Sequence, residues 1–295
     1  MIKKHIPMNN NYNKNRKNNK KLPLVSIIVI TYECEDTIET CLKSLLAQTY
    51  ENKEIILVDN FSKDKTVEIT KKYINRIYLK GPERTSQMNF GSSVVNGKYI
   101  FFAPGDFYFR KEYIKKCVEK CEEEDCDAVY LTTLGSGTGF WKKVRVLERK
   151  AFSFDDTLES SFFFKRDSYI RLGGYDTNLV AGEDYDIQYR LNSQGFKTGR
   201  IDIANIHLRE DKNIKEIFRK SFYYGKHFKT YLKKYRIYGI KKLNPFRKVI
   251  FQNYKIFLAN PLYSLGYIVY KIVQYSGGFL GLIYGYIKRD NKKRD

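Results

Sequence analysis

The chain has 295 residues, 42% hydrophobic and 16% aromatic, with a formal net charge of +21 at pH 7. This apolar content can fill a sizeable core, which excludes disorder as the overall state. The five cysteines are odd in number, and no histidine lies near Cys117, Cys121 and Cys126, so reduced thiols on helix faces and a cytosolic compartment are expected rather than a four-ligand zinc site.

The charge is uneven. Residues 1–22 carry +7 and almost no apolar side chains, which reads as a flexible basic tail; without an apolar run behind its charges it is no signal peptide. Residues 209–255 hold fifteen basic against three acidic residues, whereas residues 23–208 sum to only −2. The basic flanks suit an anionic surface, and the near-neutral centre, with no recognisable nucleic-acid-binding motif, argues against nucleic acid as partner.

In chain order, LPLVSIIVITY (22–32) is a β-branched run typical of a strand covered on both faces. CEDTIETCLKSLLAQTY follows with apolar residues at Ile38, Cys41, Leu42, Leu45 and Leu46, a helical period. KEIILVDN is the next buried strand, ending on Asp59. DKTVEITKKY predicts a helix, INRIYLK a short strand, and ERTSQMNFGSSVV a helix running up to Asn96-Gly97. A strand over Tyr99–Ala103 then meets Pro-Gly and delivers one carboxylate, Asp106, to a loop. RKEYIKKCVEKCEEE is a helix and CDAVYLTT a strand. This alternation predicts an α/β fold with a mainly parallel central sheet and helices on both faces. Ligands of such sheets sit beyond the carboxyl ends of the strands, where Tyr32/Glu33, Asp59/Asn60 and Asp106 all fall.

Residues 133–150 open with a Gly/Ser/Thr loop and read as mobile; GSGTG (135–139) is only loosely like a phosphate loop, and a flexible acceptor-side loop is expected there. SSFFFKRDSYIRLGGYD predicts a strand, a short helix and a Gly-Gly stop. AGEDYDIQYRLNSQGFKTG predicts a helix that starts with Glu183, Asp184 and Asp186 and ends at Gly195, and RIDIANIHLRE a last strand. From Lys212 a basic, Tyr/Phe-rich amphipathic helix is expected. Residues 256–287 are apolar with Lys271 their single charge; Pro261 and Gly277-Gly278 are expected to break them into pieces shorter than a bilayer span. An interfacial or re-entrant hairpin with Tyr-rich rims is expected, against a plain pair of core helices.

The blocks VSIIVITYE, CLKSLLAQTY, EIILVDNFSKDKT, GPERTSQMNFG, NGKYIFF, LGGYD and AGEDYDIQYRL, in this order through about residues 24–208, resemble the family-2 glycosyltransferases of GT-A fold. The resemblance implies inverting sugar transfer from a nucleotide-sugar donor to an acceptor hydroxyl, aided by a divalent cation, Mg2+ or Mn2+. It implies a catalytic domain at 23–208, followed by a membrane-associating helical region at 209–295, with the protein cytoplasmic and peripheral on the inner face of the membrane. It points to Thr31, Tyr32, Glu33, Asp59 and Asn60 for the nucleotide, although Asp59 with Ser62 also reads as a turn cap. Arg84, Gln87 and Asn89 fall in a block near the donor; Arg84 suits phosphate, or equally an exposed helix start.

The family's Asp-x-Asp falls on Pro104-Gly105-Asp106, so the first acid has become proline and Asp106 alone is kept. His207 falls where relatives place a histidine near the diphosphate, and a strand-end hydrogen bond is its plainer role. One carboxylate suffices for Mg2+ if donor phosphates and water complete the shell. Asp184 matches the catalytic base and Glu183 its neighbour, whose repulsion raises one pKa. The resemblance implies a glycan or lipid-linked acceptor, and the basic aromatic tail favours an anionic membrane surface as partner. Pro104 keeps a second reading open, a non-catalytic member that binds a nucleotide-sugar or lipid without turnover.

Overall fold

The computed structural model describes residues 21–291 except 156–158, 243 and 245–246; the expected tail at 1–22 lies outside them but for its last two residues. The first run forms β1 (Val25–Thr31), buried along its whole length. It is followed by α1 (Ile38–Leu46), β2 (Lys53–Asp59), α2 (Thr66–Thr70), β3 (Ile77–Leu79), α3 (Glu83–Ser93) and β4 (Tyr99–Pro104). Then come β5 (Phe107–Tyr108), α4 (Tyr113–Glu124), β6 (Ala128–Tyr130), β7 (Thr133–Gly135), α5 (Phe140–Phe152), β8 (Ser161–Lys165), α6 (Arg166–Arg171) and α7 (Glu183–Ser193). The chain continues through β9 (Thr198–Gly199), β10 (Asn205–His207), α8 (Ile214–Lys242, kinked at Arg236), α9 (Lys248–Gln252), α10 (Tyr254–Leu258) and α11 (Pro261–Asn291).

A seven-stranded sheet in the order β3-β2-β1-β4-β8-β6-β9 holds the core, with β8 alone running against its neighbours. This is the mainly parallel GT-A arrangement expected. The strands are apolar on both faces because helices cover both. Phe101 and Phe163 face one another on neighbouring strands, and Tyr99 stacks on Phe163 with centroids 5.3 Å apart. A second sheet, β5-β10-β7, lies at the carboxyl ends of the parallel strands.

Three expectations need correction. The stretch 133–150 is not a mobile loop: it contains β7 and the thirteen-residue α5, whose Val144, Leu147 and Ala151 are buried. Helical spacing of its apolar residues outweighs the glycines before it. The expected last strand over 200–210 is a strand only at β10, Asn205–His207, and the short β9 lies just before that stretch in the other sheet. Finally, Gly277-Gly278 does not break the apolar tail; α11 runs unbroken for 31 residues, and Pro261 is its first residue, where proline is tolerated.

The glycines serve packing instead. A Cβ on Gly281 would lie 2.1 Å from the Phe222 carbonyl of α8, and one on Gly225 2.0 Å from that of Gly278. The two backbones touch along this seam, and only glycine permits it. On its other flank α11 packs on α5 through Tyr267 and Tyr270 against Val144, with Trp141 at the edge of the same cluster. The outward face is inverted in polarity. Leu262, Leu265, Ile268, Ile272, Phe279 and Ile287 are each more than half exposed, while the single charge among them, Lys271, turns inward to Glu148 at 2.5 Å. No described helix is long and apolar enough to cross a membrane.

Candidate active site

The parallel strands end flush: Thr31 lies beside Asp59, and Ile30 beside Pro104. Their next residues therefore share one rim. Asp59 is fully buried, and its Oδ2 accepts from Thr31 Oγ1 at 2.7 Å and Ser62 Oγ at 2.6 Å while Oδ1 accepts from the Ser62 amide at 2.7 Å. Ser62 Oγ in turn accepts from the Glu33 amide at 2.7 Å. Asp59 thus sets the shape of the rim. Tyr32, 56% exposed, and Asn60, whose amide bonds to Thr31 at 2.9 Å, present the outward groups.

The block on α3 divides. Gln87 Nε2 donates to the carbonyls of Thr31 (2.8 Å) and Val58 (2.7 Å), tying β1 and β2 together at their ends. Asn89 Nδ2 donates to the Tyr175 carbonyl at 2.8 Å, and its Oδ1 accepts from Tyr169 Oη at 2.7 Å and the Tyr175 amide at 2.9 Å. These amide groups are spent on the frame. Arg84, one turn before Gln87, instead reaches α7: it is ion-paired to Glu183 and lies 4.0 Å from Asp184.

At the start of α7, after left-handed Gly182, the adjacent acids differ. Glu183 is buried, and burial raises its pKa, with the charge of Asp184 adding to it and Arg84 opposing. Asp184 keeps a third of its side chain exposed, and its Oδ1 accepts from the Tyr185 amide at 2.9 Å. Arg190 braces Asp186 at 2.6 Å and donates to the carbonyls of Leu172 and Gly174.

Asp106 emerges through Gly105, whose Cβ would lie 2.5 Å from Thr31 Cγ2; glycine is what lets the loop cross the end of β1. The second sheet pairs His207 with Phe107 and lays the imidazole beside the acid, with Nε2 3.4 Å from Asp106 Oδ2. Burial raises the Asp106 pKa, but the hydrogen bond and charge of His207 win and hold it below the ordinary value. The other nitrogen, Nδ1, lies 3.2 Å from Glu210 Oε1, a carboxyl whose pKa burial raises but which His207, then Arg149 and Arg145, hold at about 2.

A carboxylate oxygen and an imidazole nitrogen side by side form a donor pair that fits Mg2+ or Mn2+, with a second carboxylate close to the other ring nitrogen. Among the described residues no group of three or more His, Cys, Asp or Glu side chains could hold a metal, so phosphate and water would complete the shell. Sequence reasoning missed Glu210 and also Arg209, which donates to the Glu33 carbonyl at 2.7 Å. The acid three residues after His207 was the available signal.

Comparison with known proteins agrees with this geometry. The family model described as Glycosyl transferase family 2 matches residues 26–177, just over half the chain. The chain is 36% identical over 128 residues to a protein of Bacillus subtilis named as the uncharacterized glycosyltransferase EpsJ, covering 41% of this chain and 35% of that protein. It is 36% identical over 110 residues to the Escherichia coli UDP-Glc:alpha-D-GlcNAc-diphosphoundecaprenol beta-1,3-glucosyltransferase WfaP, covering 35% of this chain and 43% of that one. The matches thus span less than half the length of these relatives. Among solved structures, the Pyrobaculum calidifontis mannosyltransferase PcManGT, in complex with GDP-Man and Mn2+, superposes with a TM-score of 0.57 at 18% identity over 91% of this chain and 87% of that one, a likeness of fold. With family model, fold and strand-end site in agreement, the chain belongs to glycosyl transferase family 2.

Proposed function

We propose that the chain moves a sugar from a nucleotide-sugar donor to an acceptor hydroxyl, with inversion, at a membrane surface during glycan, polysaccharide or glycolipid assembly. The observation that carries this reading is α3, which through Gln87 fixes the strand ends where the donor would lie and through Arg84 holds the helix start that bears Asp184. On this reading Tyr32 and Asn60 face the nucleotide and Arg84 the phosphates. Asp184, held in orientation by the Tyr185 amide, takes the proton of the acceptor hydroxyl as its oxygen attacks the anomeric carbon on the face opposite the departing diphosphate. Asp106 and His207 would hold Mg2+ or Mn2+, which when bound supplies the positive charge that neutralises the diphosphate. The neighbour solved with GDP-Man and Mn2+ and the relative named for a diphosphoundecaprenol acceptor support donor, cation and acceptor class.

The membrane setting is supported by α11. Its apolar outer stripe repeats at helical spacing from Leu262 to Ile287, about 37 Å, and Lys248, Lys255 and Lys288 stand near its borders. A face of this kind fits an anionic bilayer surface, with residues 209–295 as the membrane-facing part and 23–208 as the catalytic domain. The five buried, unpaired thiols suit the cytoplasmic side.

The test is a nucleotide-sugar screen with Mn2+ or Mg2+. Released nucleoside diphosphate is expected with one donor and to disappear with chelator. Asp106→Asn and Asp184→Asn should each lower turnover by about 100-fold or more while far-ultraviolet dichroism shows the fold retained. Turnover that survives both substitutions would defeat the assignment.

A further inference from the structure

One exposed side chain is set against its own backbone. Phe61, in the loop after β2, is 59% exposed and belongs to neither apolar cluster. Its φ is +56°, in the left-handed region that a bulky residue enters only with strain. The turn explains the angle but not the residue. Asp59 draws in both the amide and the hydroxyl of Ser62, so Asn60 and Phe61 between them must turn the chain. Glycine or asparagine takes such an angle with least strain, and a phenylalanine there gains little by burial. Neither turn nor core calls for this ring.

The ring stands on a fixed rim. The loop after β1 is tied to the connection between β2 and α2 three times: the Glu33 amide donates to Ser62 Oγ at 2.7 Å, the Cys34 amide to Thr66 Oγ1 at 2.7 Å, and the Glu35 amide to Asp64 Oδ2 at 3.1 Å. Left-handed φ recurs at Glu33 and Glu83, past β1 and β3, at +50° and +66°, and strain of this kind gathers at ligand sites. A Cβ on Gly81, past the end of β3, would lie 2.1 Å from Asn60 Oδ1 and 3.4 Å from Phe61 Cδ2. This glycine therefore makes room for the Asn60 amide in the same wall as the Phe61 ring. Unlike Gln87 and Asn89, Asn60 gives its side-chain amide to no partner among the described residues. On the neighbouring strand end Tyr32 presents a second ring, 56% exposed.

We propose that Phe61 is a nucleotide-binding residue: the nucleobase of the donor stacks on its exposed ring, with the Asn60 amide at the base edge. A flat apolar ring held out by a rigid loop calls for a flat aromatic partner, and a free amide with both donor and acceptor calls for an edge that carries both. Stacking tolerates any base, so Phe61 supplies affinity while Asn60 reads the edge. The proposal rests on the glycosyltransferase reading and adds to its donor site a side chain beyond the strand-end residues.

The test is calorimetry on the full chain in Mg2+ with UDP, GDP, ADP and dTDP, and with inorganic pyrophosphate as the part that lacks a base. At least one nucleoside diphosphate is expected to bind more tightly than pyrophosphate. Phe61→Leu keeps a bulky side chain but loses the flat face; it should weaken that nucleotide about tenfold and leave pyrophosphate binding unchanged. Phe61→Tyr should bind as the wild type does. Phe61→Gly should weaken the nucleotide likewise while the melting temperature holds or rises, because glycine accepts the left-handed angle. Nucleotide binding indifferent to Phe61→Leu would overturn the proposal. So would an equal loss for pyrophosphate, which would place the effect on the loop and not on the base, and so would a lower melting temperature of Phe61→Gly, which would make the ring part of the frame. In each of these cases nucleotide binding itself leaves the glycosyltransferase reading standing; binding of none of the four nucleotides would remove that reading and this proposal with it.

Discussion

Glu148 carries the sharpest single-residue consequence. It sits between Arg145 and Lys271 and joins α5 to α11. Burial alone would raise its pKa, but the two cations hold it at about 2. Its unfolded value is near 4.5, so the folded state gains from this group at every pH above that value and loses the gain as pH falls towards 2. The linked contribution is about 3 kcal/mol at most. Glu148→Gln should therefore destabilise the protein at neutral pH, and chemical denaturation from pH 7 down to pH 2 should show the gap to wild type closing below about 4.5. A gap that stayed constant would mean that the pair contributes packing alone. At this scale the sequence was uneven as a guide. The placement of Asp106 beyond a strand end and of Asp184 at a helix start was legible, because both are fixed by local pattern. The duties of Asp59, Gln87 and Asn89 were not, since a short polar side chain at a rim can face ligand or frame and only packing decides.

Among the elements, α8 and α11 form the most demanding contact. Gly281 faces the Phe222 carbonyl with no room for a methyl group, whereas a Cβ on Gly278 would meet nothing nearer than the Ser221 oxygen at 3.9 Å. Gly281→Ala should cost about 1–3 kcal/mol through overpacking. Gly278→Ala should instead stabilise by about 0.5–1 kcal/mol, because alanine loses less entropy in a helix. Thermal melts of the two variants should move in opposite directions; a shared direction would count against the close seam. The sheet strands were readable because their apolar runs alternate with helical periods. The tail was misread at Gly277-Gly278 because glycine marks a helix end in water and a close approach between paired backbones, and the pattern along one chain does not distinguish these. The helix α5 was hidden by the opposite error, in which the glycines of 135–139 drew attention from the period of Val144, Leu147 and Ala151 behind them.

For the whole molecule, polarity is arranged by side. The central domain is near neutral, and the cations and the exposed apolar residues gather in the C-terminal helices. Co-sedimentation with anionic phospholipid vesicles should therefore retain the protein, less so as salt is raised and less on neutral vesicles. Leu265→Glu with Ile272→Glu should weaken retention at least about tenfold, since both charges would enter the apolar stripe, while donor hydrolysis stays at the wild-type rate. Retention unaffected by these charges would place the contact elsewhere on the molecule. The composition made the basic flank legible. It could not reveal that Lys271 turns inward and its apolar neighbours outward, because the direction of a helix face depends on the partner it packs against.

The chain contains one tryptophan, Trp141, edge-on to Phe140 at 5.0 Å and set in the cluster that joins α5 to α11. Indole emission excited selectively at long wavelength thus comes from a single point at this junction. Followed together with far-ultraviolet dichroism, it distinguishes loosening of the last helix from melting of the central sheet without any label having to be introduced.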